Sequence, residues 1–123
     1  MHTNNPAEEL NYHGLLNDTA NPLKGANFGY PNCFAAWDPS TLPTSGSKVG
    51  TQVSIDLSVK QLSDAECAKV QQPRLVFPAH TAPIDIKFKK DGSAAFITFH
   101  GSWGRFPPFQ LLCLLGAGSP CYS

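Results

Sequence analysis

Apolar and polar side chains alternate along residues 84–89, which is the period of a half-buried β-strand. The dipeptide that follows, Asp91-Gly92, favours a tight hairpin turn. Residues 94–100 therefore predict the returning strand, and they are apolar on both faces, as in a strand that lies between two packed layers. A shorter strand is predicted over residues 74–77. The apolar side chains predicted to share one face of the first strand are Ile84, Ile86 and Phe88.

Two capping patterns predict short helices in the first part of the chain. Asn5-Pro6-Ala7-Glu8 places an N-cap residue before a proline and a glutamate, and Ser63-Asp64-Ala65-Glu66 forms a capping box. The second helix should continue to about Val70 with Cys67 on its inner face, and the proline at position 73 should end it. Residues 39–50 are rich in proline, serine and glycine and predict a surface loop.

Composition agrees with an all-β, loop-rich protein. Eleven prolines and ten glycines occur among 123 residues, and only 15% of the residues are charged. Nine basic residues balance nine acidic ones, so there is no electrostatic reason to expect a nucleic acid or an anionic membrane as partner. No apolar stretch approaches the ~20 residues of a membrane span. The polar, acidic first ten residues do not predict a signal peptide.

The cysteines predict an oxidised protein. None forms a C-x-x-C pair, which disfavours zinc and thioredoxin-like sites. A Cys33–Cys67 disulfide would close a loop that has little core of its own, and such a bridge contributes ~2–4 kcal/mol. The alternative is a pair of free thiols in a cytosolic protein. The N-glycosylation sequence Asn17-Asp18-Thr19 is a second feature of secreted chains, and it favours the disulfide. The four cysteines are Cys33, Cys67, Cys113 and Cys121.

Three groups of motifs occur in an order and with spacings that match a known family. The first is N-N-P-A-E-E-L-N-Y at residues 4–12 with N-F-G-Y-P-N-C-F-A-A-W-D-P at residues 27–39. The second is P-R-L at residues 73–75 with A-H-T-A-P-I-D-I-K-F at residues 79–88, and the third is A-A-F-I-T-F-H-G-S-W at residues 94–103. Together they resemble the glucose/sorbosone dehydrogenase family, and most closely its fungal pyranose dehydrogenase branch.

The resemblance implies part of a six-bladed β-propeller, about two blades, with short helical turns in the loops. It also implies pyrroloquinoline quinone near the axis of one face, with calcium beside it. A sugar hydroxyl would be oxidised by hydride transfer to the quinone, and an external acceptor such as a heme domain would take the electrons. The parent family is extracellular.

The match to the family pattern covers about residues 4–105. We therefore predict a partial propeller over residues 1–105 and an aberrant tail outside the family pattern over residues 106–123. Gly104 replaces the asparagine of the family's G-S-W-N-R motif, and the Pro-x-Gly-Tyr continuation is missing. We attribute the tail to a frame shift or to mis-splicing.

His80, His100 and Arg105 are the predicted cofactor-binding residues. His80 stands where the family places a polar site residue, and His100 ends the returning strand just before Gly101, which lets the backbone approach a ligand closely. Arg105 would pair with a quinone carboxylate. The alternatives are a turn histidine bonded to backbone and an ordinary strand end. The resemblance implies that the catalytic base is expected upstream of Met1, so neither a catalytic residue nor a metal ligand is assigned in this chain.

Other chemistries find less support. The carboxylates lack the order of a calcium loop and are expected in capping and solvent roles, and the lysines before the turn predict a solvated face. No G-x-S-x-G motif and no glycine-rich phosphate loop occurs, which disfavours a hydrolase or a nucleotide site.

Whether the chain alone is an enzyme stays open. The alternatives are a non-catalytic propeller remnant that binds carbohydrate or protein, with exposed aromatics stacked on sugars, and a translated fragment without function. The groups concerned are the carboxylates of Glu8, Glu9, Asp18 and Asp38, the lysines Lys87, Lys89 and Lys90, and the aromatics Tyr30, Trp37 and Trp103.

Overall fold

The computed structural model describes residues 4–43, 45–54 and 62–101, together with the backbone of two further strands, Leu112–Leu115 and Cys121–Tyr122. The chain divides into two compact units, Met1–Ala79 and His80–Ser123. Antiparallel strands are the main regular structure of both units. No helix among these residues is long and apolar enough to cross a bilayer.

The first unit contains two small antiparallel sheets. In one, β1 (Glu8–Leu10) pairs with β4 (Leu75–Phe77). In the other, β2 (Cys33–Ala35) pairs with β3 (Gln52–Ser54). The predicted strand near residue 75 is therefore confirmed.

Helical structure in the first unit is short. A 3-10 helix, Pro39–Thr41, interrupts the predicted surface loop, and Asp38 caps it. The predicted capping box is confirmed: the Ser63 hydroxyl accepts from the Glu66 amide, and the Glu66 carboxylate accepts from the Ser63 amide. The helix that follows, α1 (Asp64–Cys67), is shorter than predicted, and a turn replaces its expected last residues.

The predicted disulfide is also confirmed. Cys33 of β2 and Cys67 of α1 are bonded, and both side chains are buried. The Asp64 carboxylate accepts from the Ser54 amide at 2.8 Å, which fixes the start of α1 against β3. The capped helix is thus held to the small sheet by one covalent bond and one hydrogen bond to a carboxylate.

The helix predicted from Asn5 is wrong, because residues 5–7 are not helical and β1 begins at Glu8. The Asn5 side chain is buried, and its carbonyl accepts from the Trp37 amide at 2.7 Å and from the Asp38 amide at 3.2 Å. Its amide donates to the Thr41 hydroxyl at 2.9 Å. The asparagine therefore caps a distant turn, and these tertiary hydrogen bonds override the local capping preference.

The second unit is a four-stranded antiparallel sheet in the order β5-β6-β7-β8. Its strands are β5 (Pro83–Phe88), β6 (Ala95–Phe99), β7 (Leu112–Leu115) and β8 (Cys121–Tyr122). The hairpin turn between β5 and β6 is confirmed: the Lys89 amide donates to the Ala94 carbonyl, and Gly92 adopts φ +68°. Blades of β-propellers are four-stranded sheets, so the strand number agrees with the predicted partial propeller.

The two strands of the hairpin differ in burial. Ala95, Ile97 and Phe99 of β6 are buried, whereas Phe96 is 37% exposed, so only one of the two faces predicted to lie between layers is buried within the described residues. In β5, by contrast, Ile84 is 65% exposed and Phe88 is 66% exposed, although both stand on the predicted apolar face. The unit therefore carries apolar surface along its free edge strand.

Candidate functional site

The two predicted site histidines flank one end of the β5–β6 hairpin. The His100 amide donates to the Ala82 carbonyl, and the Gly101 amide donates to the Thr81 carbonyl, both at 3.0 Å. Pairing thus continues beyond β6 to the residues directly after His80. The structure therefore places the His80 and His100 positions at the same end of the hairpin, offset by two residues in register, with His80 half-buried and His100 exposed.

The backbone before β5 adopts a conformation that L-residues rarely take. His80 has φ +60° and Ala82 has φ +50°, both in the left-handed region. Such residues cost about 1–3 kcal/mol each and concentrate at binding and active sites. Histidine is enriched several-fold among the non-glycine residues that tolerate this region. The segment is therefore held in a defined, strained conformation that fixes the direction in which His80 leaves the backbone.

A β-bulge next to this segment has a local cause in the sequence. Pro83 pairs with Phe99 and Asp85 pairs with the preceding residue of β6, so the register shifts around Ile84. Proline has no amide hydrogen to donate to the ladder, and bulges of this kind bend a strand and redirect side chains. The bulge thus bends the first residues of β5, which begins three residues after His80.

Arg105, the third predicted site residue, lies outside the described residues, as does Trp103. The described part of the site therefore consists of the two imidazoles, the strained backbone at His80 and Ala82, and Gly101. Imidazole nitrogens can donate to or accept from a polar ligand according to tautomer and protonation. Gly101 has φ +88°, a conformation that glycine adopts without steric cost. The described arrangement therefore offers two imidazoles as hydrogen-bonding groups at one end of the hairpin.

The described residues contain no group of three or more His, Cys, Asp or Glu side chains placed to hold a metal ion. The capping role expected for Asp38 is confirmed, because its carboxylate accepts from the Ser40 amide. Its pKa is lowered, first by a hydrogen bond from the Ser40 hydroxyl and then by one from the Asn4 amide. Asp18 likewise accepts from the Ala20 amide within an exposed turn.

A buried polar cluster in the first unit was missed by sequence reasoning. The Glu9 carboxylate accepts from the Ala35 amide at 3.0 Å and from the side-chain amides of Gln52 and Asn11 at 3.2 Å each. The solvent role expected for Glu9 is therefore wrong: it is half-buried and joins β1 to β2 and β3. Gln52 is fully buried and also donates to the Phe28 carbonyl. A single glutamine in a three-residue strand gives no sequence signal of such a role.

The aromatics proposed to stack on sugars have different environments. Tyr30 is 88% exposed, and Trp37 is half-buried. Next to Tyr30, Gly29 has φ +106°, and a Cβ there would lie 2.9 Å from the Gln52 side-chain oxygen. The aromatic turn therefore packs its backbone directly over the buried glutamine.

The family model described as TrAA12-like matches residues 1–110. The chain belongs to the TrAA12-like family. Among curated relatives, a pyrroloquinoline quinone-dependent sugar dehydrogenase of Hypocrea jecorina is 48% identical over 104 residues. A pyrroloquinoline quinone-dependent pyranose dehydrogenase of Coprinopsis cinerea is 41% identical over 110 residues. These matches cover 83% and 88% of this chain but only 24% and 14% of the two relatives.

Solved structures give the same assignment. The calcium structure of the Trichoderma reesei carbohydrate-active enzyme of family AA12 superposes with a TM-score of 0.81 and 42% identity, covering 99% of this chain and 31% of the other. The holo form of the Coprinopsis cinerea pyranose dehydrogenase PQQ domain superposes with a TM-score of 0.74 and 38% identity. This match covers 94% of this chain and 28% of the other. The predicted family and the all-β, partial-propeller fold class are therefore confirmed for this TrAA12-like chain.

Proposed function

We propose that this TrAA12-like chain is part of a pyrroloquinoline quinone-dependent sugar dehydrogenase and contributes His80 and His100 to its quinone site. The observation that carries the proposal is the backbone pairing of His100 with Ala82 and of Gly101 with Thr81, which puts both histidine positions at one end of the hairpin. The names of the curated relatives support the choice of cofactor. In the whole enzyme, a sugar would be the substrate.

The residues present fit a quinone cofactor. Pyrroloquinoline quinone is planar and bears carbonyl and carboxylate oxygens, which imidazole N–H groups can satisfy. His100 is exposed and therefore accessible to a ligand. The backbone of His80 already occupies a rare conformation, so this segment needs little further ordering when a ligand binds. When bound, the cofactor would accept the hydride and the electrons, and the protein would bind and orient it.

The remaining parts of the site are proposed on the family resemblance. Arg105 would pair with a carboxylate of the cofactor through a bidentate contact. Calcium beside the quinone is supported by the calcium structure of the Trichoderma reesei relative. The catalytic base and the outlet for electrons, such as a heme domain, are proposed to lie outside this chain. The disulfide supports an extracellular location for the protein.

The proposal is tested by titrating the chain with pyrroloquinoline quinone and calcium and following the visible absorption of the quinone. The variants are His100→Ala and His80→Asn, because asparagine tolerates the left-handed backbone and removes only the imidazole. His13→Ala is the matched control, since His13 is an exposed histidine of the first unit that contacts Phe28. A saturable change in wild type and His13→Ala, weakened at least tenfold in the two site variants, is expected. Equal affinity in all four proteins would refute the assignment of the histidines.

A further inference from the structure

The N-glycosylation sequence Asn17-Asp18-Thr19 occurs once in the chain and has no part in the quinone site. It lies in a stretch, residues 11–32, that forms neither strand nor helix. The stretch is a succession of turns: the Asp18 amide donates to the Leu15 carbonyl at 3.2 Å, and the Lys24 amide donates to the Asn21 carbonyl at 3.1 Å. An acceptor asparagine in such a turn can be reached without opening a sheet.

All three residues of the sequence are exposed. The Asp18 carboxylate accepts a hydrogen bond from the Ala20 amide, and this bond fixes the turn next to the glycan-acceptor residue Asn17. Within the described residues, the Asn17 side chain makes no hydrogen bond, so its amide nitrogen is open to modification. A bulky substituent at this position would project into solvent from the first unit.

A second, independent observation concerns the compartment. The Cys33–Cys67 disulfide lies in the same unit, with both sulfurs buried. Structural disulfides form in oxidising compartments such as the endoplasmic reticulum, where N-glycans are also attached. We propose that Asn17 carries an N-linked glycan. This rests on the proposed passage through the secretory pathway and not on the proposed quinone binding.

The surface beside the acceptor also suits a glycan. Leu16 is 95% exposed and Leu15 is 61% exposed, so two adjacent leucines stand in water next to Asn17. Exposed apolar patches promote association, and N-glycans are bulky and solubilising. A glycan at Asn17 would cover this patch.

The test is secretion of the full chain from a yeast host behind a cleavable leader, as wild type, Thr19→Ala and Thr19→Ser. Both variants alter the same exposed side chain, but only Thr19→Ala destroys the acceptor sequence. Intact masses are measured before and after treatment with peptide-N-glycosidase, and a non-reducing peptide map reports the disulfide.

Wild type and Thr19→Ser are expected to carry a removable glycan whose release converts Asn17 to aspartate, and Thr19→Ala is expected to carry none. An unmodified Asn17 in secreted wild type that contains the Cys33–Cys67 disulfide would overturn the proposal. Quinone titration of the same preparations separates the two proposals, because the glycan is expected to leave cofactor affinity unchanged.

Discussion

The two units of the chain are stabilised in different ways. Met1–Ala79 has strands of only three residues, and its order comes from a disulfide and from buried polar side chains that bridge distant segments. The described part of His80–Ser123 is a four-stranded sheet held by backbone pairing, and its edge strand β5 exposes apolar side chains. Short strands need crosslinks because they bury little apolar area, whereas a propeller blade needs neighbouring blades to cover its faces.

The largest expected effect is loss of the disulfide. The double variant Cys33→Ala/Cys67→Ala should lower the free energy of unfolding by about 2–5 kcal/mol. Hydrogen exchange followed by mass spectrometry should show lost protection in β2 and β3 while the β5–β6 hairpin keeps its protection. Equal loss in both units would contradict the distinction between them.

Next in size is the Glu9 cluster. Glu9→Gln keeps the shape but turns one acceptor oxygen into a donor that faces other donors, so stability should fall by about 1–3 kcal/mol. Asp18→Asn is the control, because it makes the same chemical change in an exposed turn. Urea unfolding measures both variants, and equal effects would show that the Glu9 contacts contribute nothing specific.

The strained segment of the second unit provides a third comparison. Ala82 is exposed at φ +50°, so substitutions there act mainly through the backbone. Ala82→Val should destabilise by about 1–3 kcal/mol, because a β-branched side chain tolerates this conformation poorly. Ala82→Gly should be neutral or stabilising. Thermal unfolding distinguishes them, and a stable valine variant would show that the segment is not strained.

A substitution on the exposed edge strand β5 should change the solubility of the chain more than its free energy of unfolding. Phe88→Lys should change the free energy of unfolding by no more than about 0.5 kcal/mol, since the side chain is mostly exposed. It should, however, reduce self-association, which light scattering against protein concentration measures. Ile97→Lys, on the buried face of β6, is the contrasting variant and should unfold the hairpin.

The smallest expected effect is the pH dependence contributed by Asp38. The pKa of Asp38 in the folded protein is lowered, chiefly by the hydrogen bond from the Ser40 hydroxyl. The stability that this shift contributes is complete above the unfolded pKa of about 3.9 and is lost as the pH falls through the lower folded pKa. Ser40→Ala should weaken this dependence. The melting temperatures of wild type and Ser40→Ala should therefore differ less at acidic pH than at neutral pH.

Local patterns in the sequence were sufficient for the second capping box, the Asp91-Gly92 turn and the strand that returns from it, because each depends on residues a few positions apart. The resemblance to a known family gave the propeller assignment, and it pointed to His80 and His100. The predicted boundary at residue 105 and the roles of the three site residues stay predictions.

Tertiary structure alone decided the role of Asn5, which caps a turn more than 30 residues away, and of Glu9, whose partners come from three segments. The same is true of the pairing that brings the two histidine positions together and of the left-handed backbone at His80. The sequence by itself determined elements whose energy comes from nearest neighbours along the chain. Only the folded chain could show which distant polar groups satisfy one another, because a buried donor can donate to any well-placed acceptor oxygen regardless of its position in the sequence.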